Sequence, residues 1–213
     1  MKKTLFYSAI LVLAFLVLVV VQVGCTNANE KKVLSKEDQI KRGKFLVDVG
    51  DCNVCHSPKI MTAMGPVPDT TRLLSGHPAD DQLGEIDPAM FASHQWAFVN
   101  SSFTAWVGPW GASYTANLTP DPETGLGNWT EDLFIKAIRS GKHMGVGRSI
   151  LPPMPWPAIN NYPDEDLKAI FAYLHSLKPI HNKVPNPVSP DMISTLFKKD
   201  NMKGNMMKAK DTE

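Results

Sequence analysis

Two thiols and an imidazole lie within five residues of this chain, in Cys52-Asn53-Val54-Cys55-His56. Thiols three positions apart fall near one face of a helical turn, and the imidazole follows at once. The pattern is that of c-type haem attachment. Each sulfur adds to one vinyl group of a single porphyrin, and His56 reaches the iron as proximal ligand. The bare Cys52/Cys55 pair would also suit a redox disulfide, but no strand precedes it and no βαβ alternation follows. A structural zinc site needs a closed set of Cys and His ligands, and the remaining cysteine, Cys25, lies in an apolar leader. The spacing therefore favours one covalent haem c.

A haem that carries electrons takes a second axial ligand, commonly Met or His. Ten methionines compete for that place. Met1 falls in the leader, and Met202, Met206 and Met207 in a polar tail. Met61 and Met64 follow His56 too closely to reach the opposite haem face with ease. Met154 lies in Leu151-Pro152-Pro153-Met154-Pro155-Trp156-Pro157, where four prolines fix φ and remove amide donors. Such a stiff strap suits a weak thioether ligand, which makes Met154 the distal candidate. Met144, in a turn with Gly141, Gly145 and Gly147, is its rival, and His143 is a fainter one. His77, His94, His175 and His181 read as structural or solvent-facing. Arg72, Trp129, Arg148 and Trp156 are candidates for haem-propionate contacts, Trp156 first because it neighbours Met154.

Three helices must position these groups. Ser35 can cap a helix from Lys36, with Glu37 and Asp38 favouring its positive end. Ile40, Phe45, Leu46 and Val49 supply its apolar positions. Thr130 caps a second helix over 131–140, with Leu133, Phe134, Ala137 and Ile138 inward and Gly141 as its stop. Pro163 and Asp164 open a third, striped by Leu167, Ile170, Phe171 and Leu174 and ended by Pro179. The expected fold is all-α, interrupted by an insert over 57–116 with few helix signals. Within the insert, Trp96, Phe98, Phe103 and Trp106 flank Asn100-Ser101-Ser102 and predict a β-hairpin or an aromatic loop. That element would serve as a lid or docking surface, or more simply as a satellite core.

Beyond the haem motif and the Pro-Met-Pro-Trp strap, Arg42-Gly43-Lys44-Phe45-Leu46, Asn117-Leu118-Thr119-Pro120-Asp121, Thr124-Gly125-Leu126-Gly127 and Trp129-Thr130 complete a pattern. Over residues 36–178 the chain resembles a class I c-type cytochrome, and it is similar to the cytochrome subunits of bacterial membrane alcohol and gluconate dehydrogenases. The resemblance implies a cytochrome c fold and a close crossing of the terminal helix at Gly43, a residue that otherwise costs a helix about 1 kcal/mol. Those subunits often carry three haem motifs, whereas this chain has one.

The ends of the chain predict its address. Lys2 and Lys3 precede an apolar run from Leu5 to Val23, and Gly24-Cys25 and a hydrophilic stretch follow. Residues 1–25 read as a signal peptide, a lipoprotein leader lipidated at Cys25, or a retained membrane anchor. Residues 26–34 read as a linker, 35–180 as the cytochrome domain, and 181–213 as a Pro-rich and then Lys/Met-rich tail. A formal charge of +1 gives no support to nucleic-acid binding, and 43% hydrophobic with 20% charged residues excludes a largely disordered chain. The expected protein is exported and tethered on the periplasmic face of a bacterial membrane. As an electron carrier and not an enzyme, it would pass single electrons between a dehydrogenase or quinol-oxidising complex and a terminal oxidase or periplasmic reductase. The alternative is a peroxidase-like or sensing haem protein with an open iron position.

Overall fold

In the computed structural model, residues 34–81, 83–84 and 95–193 are described. The leader with Cys25, nearly all of the linker, His94 and the tail from 194 lie outside the described residues. Contacts divide the chain into two units, residues 1–35 and 36–213. The elements of the second unit are α1 (Lys36–Val49), α2 (Cys52–His56), β1 (Lys59–Thr62), β2 (Gly65–Pro68), β3 (Phe98–Val99), β4 (Ala105–Gly108), β5 (Gly111–Tyr114), α3 (Glu131–Ser140), α4 (Trp156–Ile159) and α5 (Asp164–Ser176). Among the described residues, no helix is long and apolar enough to cross a membrane.

The helices form where the sequence signals them. Thr130 accepts a hydrogen bond from the Leu133 amide at 3.2 Å, and Gly141 ends α3 at a φ of 64°. Leu46 and Val47 of α1, Phe134 and Ile138 of α3, and Leu167, Ile170, Phe171 and Leu174 of α5 share one buried core. The rotation of α1 differs from its apolar pattern: Phe45 and Val49 face solvent, while Gly43, Leu46 and Val47 are buried. Gly43 sets that rotation, because a Cβ there would lie 1.9 Å from the Ala169 carbonyl oxygen of α5. Arg42 then reaches Asp166 with two parallel hydrogen bonds of 2.9 and 3.0 Å, locking the crossing.

The insert lies between the haem motif and the later helices and carries two antiparallel sheets, so the whole unit mixes a helical core with β structure. The expected hairpin is β3–β4, with Phe98 opposite Val107, and β5 extends it. The β1–β2 hairpin pairs Met61 with Pro66 and Lys59 with Pro68. Two prolines are tolerated because both strands of a two-stranded sheet are edges. Val107 and Ala112 make a second small core with Ile193, whereas Trp96 and Phe103 of the aromatic stretch expected to supply such a core are exposed. The segment after α5 packs back onto it through an Ala112–Val188 bridge.

Candidate haem-binding site

The proximal side is built on α2, a single helical turn that carries Cys52, Cys55 and His56 together. Both thiols are free and partly exposed, while His56 is buried. The turn is gripped at its C-terminal end by Lys59, whose Nζ donates to the carbonyls of Asn53 (3.2 Å), Val54 (2.8 Å) and Ser57 (2.5 Å). These carbonyls end a helix dipole and favour a cation. Ser57 Oγ donates to Asn53 Oδ1 and accepts the Leu74 amide, at 2.8 and 2.9 Å.

Two irregular segments hold His56 from its other sides. The Gly76 amide donates to its backbone carbonyl at 2.7 Å, and its Nδ1 lies 2.8 Å from the Ala116 carbonyl oxygen. The segments also join each other, His77 N to Thr115 O at 2.9 Å and Leu118 N to Leu74 O at 2.8 Å. Gly76 adopts a φ of 80°, and a Cβ on it would fall 2.5 Å from Thr115 O, so only glycine fits. Upstream, Asp69 accepts from the Thr71 amide and hydroxyl and from Arg72 Nε. These bonds, the Thr71 hydroxyl first, hold its carboxyl down to about 2.

The Ala116 contact fixes the chemistry of His56. A carbonyl oxygen only accepts, so Nδ1 carries the proton and Nε2 keeps its lone pair. Burial pushes the imidazole pKa down and keeps the ring neutral, the form that binds a metal. Burial pushes the Cys52 thiol up to about 11 and raises Cys55 as well. Redox-active Cys-x-x-Cys pairs depress a thiol pKa instead, so the disulfide reading finds no support here. Among the described residues, no group of three or more His, Cys, Asp and Glu side chains could cage a metal ion.

The Asn117–Asp121 and Thr124–Gly127 blocks form a clamp behind this frame. Asn117 Nδ2 donates to Thr124 Oγ1 and the Ile180 carbonyl, at 3.1 and 2.8 Å, and its Oδ1 accepts from the Thr119 amide and hydroxyl. Asn182 donates to the carbonyls of Ser75 and His77, at 2.7 and 2.9 Å, tying the segment after α5 to the His56 brace. His77 is buried and structural, with its ring 5.0 Å from that of Tyr114. His175 donates Nε2–H to the Leu126 carbonyl at 2.9 Å.

The distal candidates sit on the strap between α3 and α4. Met154 is half-buried, and its amide reaches Leu151 O at 3.3 Å. The Trp156 indole covers Gly141 so closely that a Cβ there would meet Cζ2 at 2.5 Å. Met144 stands at a φ of 52° in a short 3-10 turn with 45% of its surface exposed, and His143 is turned edge-on to Trp129 at 5.4 Å. Met61 and Met64 lie on the β1–β2 hairpin, 61% and 98% exposed. Sequence reasoning missed Lys59 and Ser57 as supports. Only the position of Lys59 just past the motif, where a helix C-terminus wants a cation, could have signalled one of them.

The residues present suit a haem c. The Cys52-Cys55-His56 spacing is that of covalent haem c attachment, with thiols unpaired and the imidazole in the ligating tautomer. One residue from the Ala116 brace, the buried Thr115 Oγ1 has no hydrogen-bond partner among the described residues.

No family model matches the chain. Among curated proteins, it is 30% identical over 172 residues to the cytochrome c subunit of alcohol dehydrogenase (quinone) from Gluconobacter oxydans, covering 79% of this chain and 27% of the relative. It is 30% identical to the gluconate 2-dehydrogenase cytochrome c subunit of Pantoea cypripedii, over 70% of this chain and 27% of that protein. With the fructose dehydrogenase cytochrome subunit of Gluconobacter japonicus it shares 28% identity, over 71% of this chain and 24% of the relative. The chain thus spans about a quarter of these relatives' length. Motif, helical frame and these relationships together place the chain's domain among the class I c-type cytochromes, related to the cytochrome c subunits of bacterial dehydrogenases.

Proposed function

We propose that this domain is a mono-haem electron carrier that takes single electrons from a bacterial dehydrogenase or quinol-oxidising complex and passes them on to a terminal oxidase or periplasmic reductase. Bound haem supplies a one-electron iron couple. Cys52 and Cys55 hold it by thioethers, His56 Nε2 ligates the iron, Met154 ligates from the strap, and Trp156 contacts a propionate. The leader keeps the domain on the periplasmic face of a membrane, through a lipid on Cys25 or the apolar run itself.

The observation that carries this reading is the 2.8 Å contact from His56 Nδ1 to Ala116 O, which leaves Nε2 as the free nitrogen of the motif. A rigid frame of this kind limits the reorganisation that electron transfer demands of a ligand. The proline-rich strap disfavours the alternative, an enzyme or sensor with an open iron position. Spectra of the holoprotein and of Met154→Ala test the choice. The parent should show a thioether-to-iron charge-transfer band and bind CO poorly when reduced; the variant should lose the band, bind CO readily and fall in reduction potential. Unchanged spectra in the variant would assign the sixth position to another residue.

A further inference from the structure

The strap bearing Met154 is poorly held by its own backbone. Pro152, Pro153 and Pro155 have no amide hydrogen to donate. Between Leu151 and Met154, the described residues supply two hydrogen bonds: the 3.3 Å bond from Met154 N to Leu151 O, and a 2.6 Å bond in which Ser113 Oγ donates to Pro152 O. The second is much the better one, and it comes from the insert. Ser113 is 7% exposed and lies in β5, opposite Trp106 of β4. Trp110 Nε1 donates to Ser113 Oγ at 3.2 Å, which orients the hydroxyl proton toward Pro152. The strand is fixed from its other edge by paired bonds between Ala112 and Val188, at 2.8 and 2.9 Å.

We propose that Ser113 is a positioning residue for the distal ligand, so that the β4–β5 hairpin latches the Met154 strap and sets how easily an outside ligand displaces the thioether. This rests on the assignment of Met154 to the iron. A hydroxyl braced by an indole and a three-stranded sheet fixes a carbonyl two residues from the ligand. Without it, the strap keeps its prolines and its run into α4 but loses the side-chain hydrogen bond that ties Pro152 to the insert.

The test compares the holoprotein with Ser113→Ala, Ser113→Thr and Met154→Ala, reading the charge-transfer band and the CO affinity of the reduced form beside thermal stability. One lost hydrogen bond corresponds to roughly a five- to tenfold change in equilibrium. Ser113→Ala should therefore weaken the band and bind CO about five- to tenfold more tightly, while Ser113→Thr, which keeps the hydroxyl, stays near the parent. Should Ser113→Ala fail to load haem, Trp110→Phe removes the brace and carries the same expectation in smaller measure. A band and CO affinity unchanged in Ser113→Ala, with Met154→Ala altered, would overturn the latch and leave the ligand assignment standing. If Met154→Ala itself changes neither, the assignment falls and the latch with it.

Discussion

The two sides of the proposed haem site are built to different standards. On the proximal side, His56 is held through its ring and its carbonyl by two separate segments, and its helical turn is capped by three bonds from one ammonium. On the proposed distal side, the stretch from Leu151 to Met154 is held by one hydroxyl and one long amide bond. Under the proposed ligand set, redundant bracing suits a proximal ligand that stays in place through folding and haem attachment. A sparser tether suits a distal ligand whose release one side chain can tune.

This contrast can be broken by substitution. The largest effect is expected from Gly76→Ala, which combines a left-handed backbone with a Cβ 2.5 Å from Thr115 O. Loss of about 3 kcal/mol or more, with poor haem loading, should appear in denaturant melts; a loss below about 1 kcal/mol would show that the brace is not needed. Next is Lys59→Gln, which removes a cation from three carbonyls. It should cost about 1 to 2 kcal/mol and lower the midpoint potential, since a nearby positive charge favours the reduced iron. A potential that does not fall would separate the cap from haem electrostatics. The smallest effect on stability, under about 1 kcal/mol before haem is attached, should come from Ser113→Ala, so the distal tether registers in ligand exchange more than in folding.

Much of the helical frame was legible from residues. Thr130, Gly141, Pro163 and the Leu167–Leu174 stripe each act locally, and local signals survive in a sequence. The haem motif was legible because its spacing is its chemistry. The β1–β2 hairpin was not, since Pro66 and Pro68 argue against a strand unless the sheet has only edges. The turn of α1 that exposes Phe45 was hidden for a different reason: the contact of Gly43 with Ala169 joins helices 126 positions apart, and apolar spacing does not record it. Ser113 was missed because its contact with Pro152, 39 positions away, exists only once the fold brings the two together, whereas Lys59 acts on carbonyls two to six positions away and its place past the motif was a readable signal.

The central claim is that one porphyrin is joined to Cys52 and Cys55, and intact mass tests it most directly. The full chain, produced with a functioning c-type maturation apparatus and then denatured, should carry the added mass of a single haem and no titratable thiol at either position. A colourless product of unmodified mass at those cysteines would contradict the account.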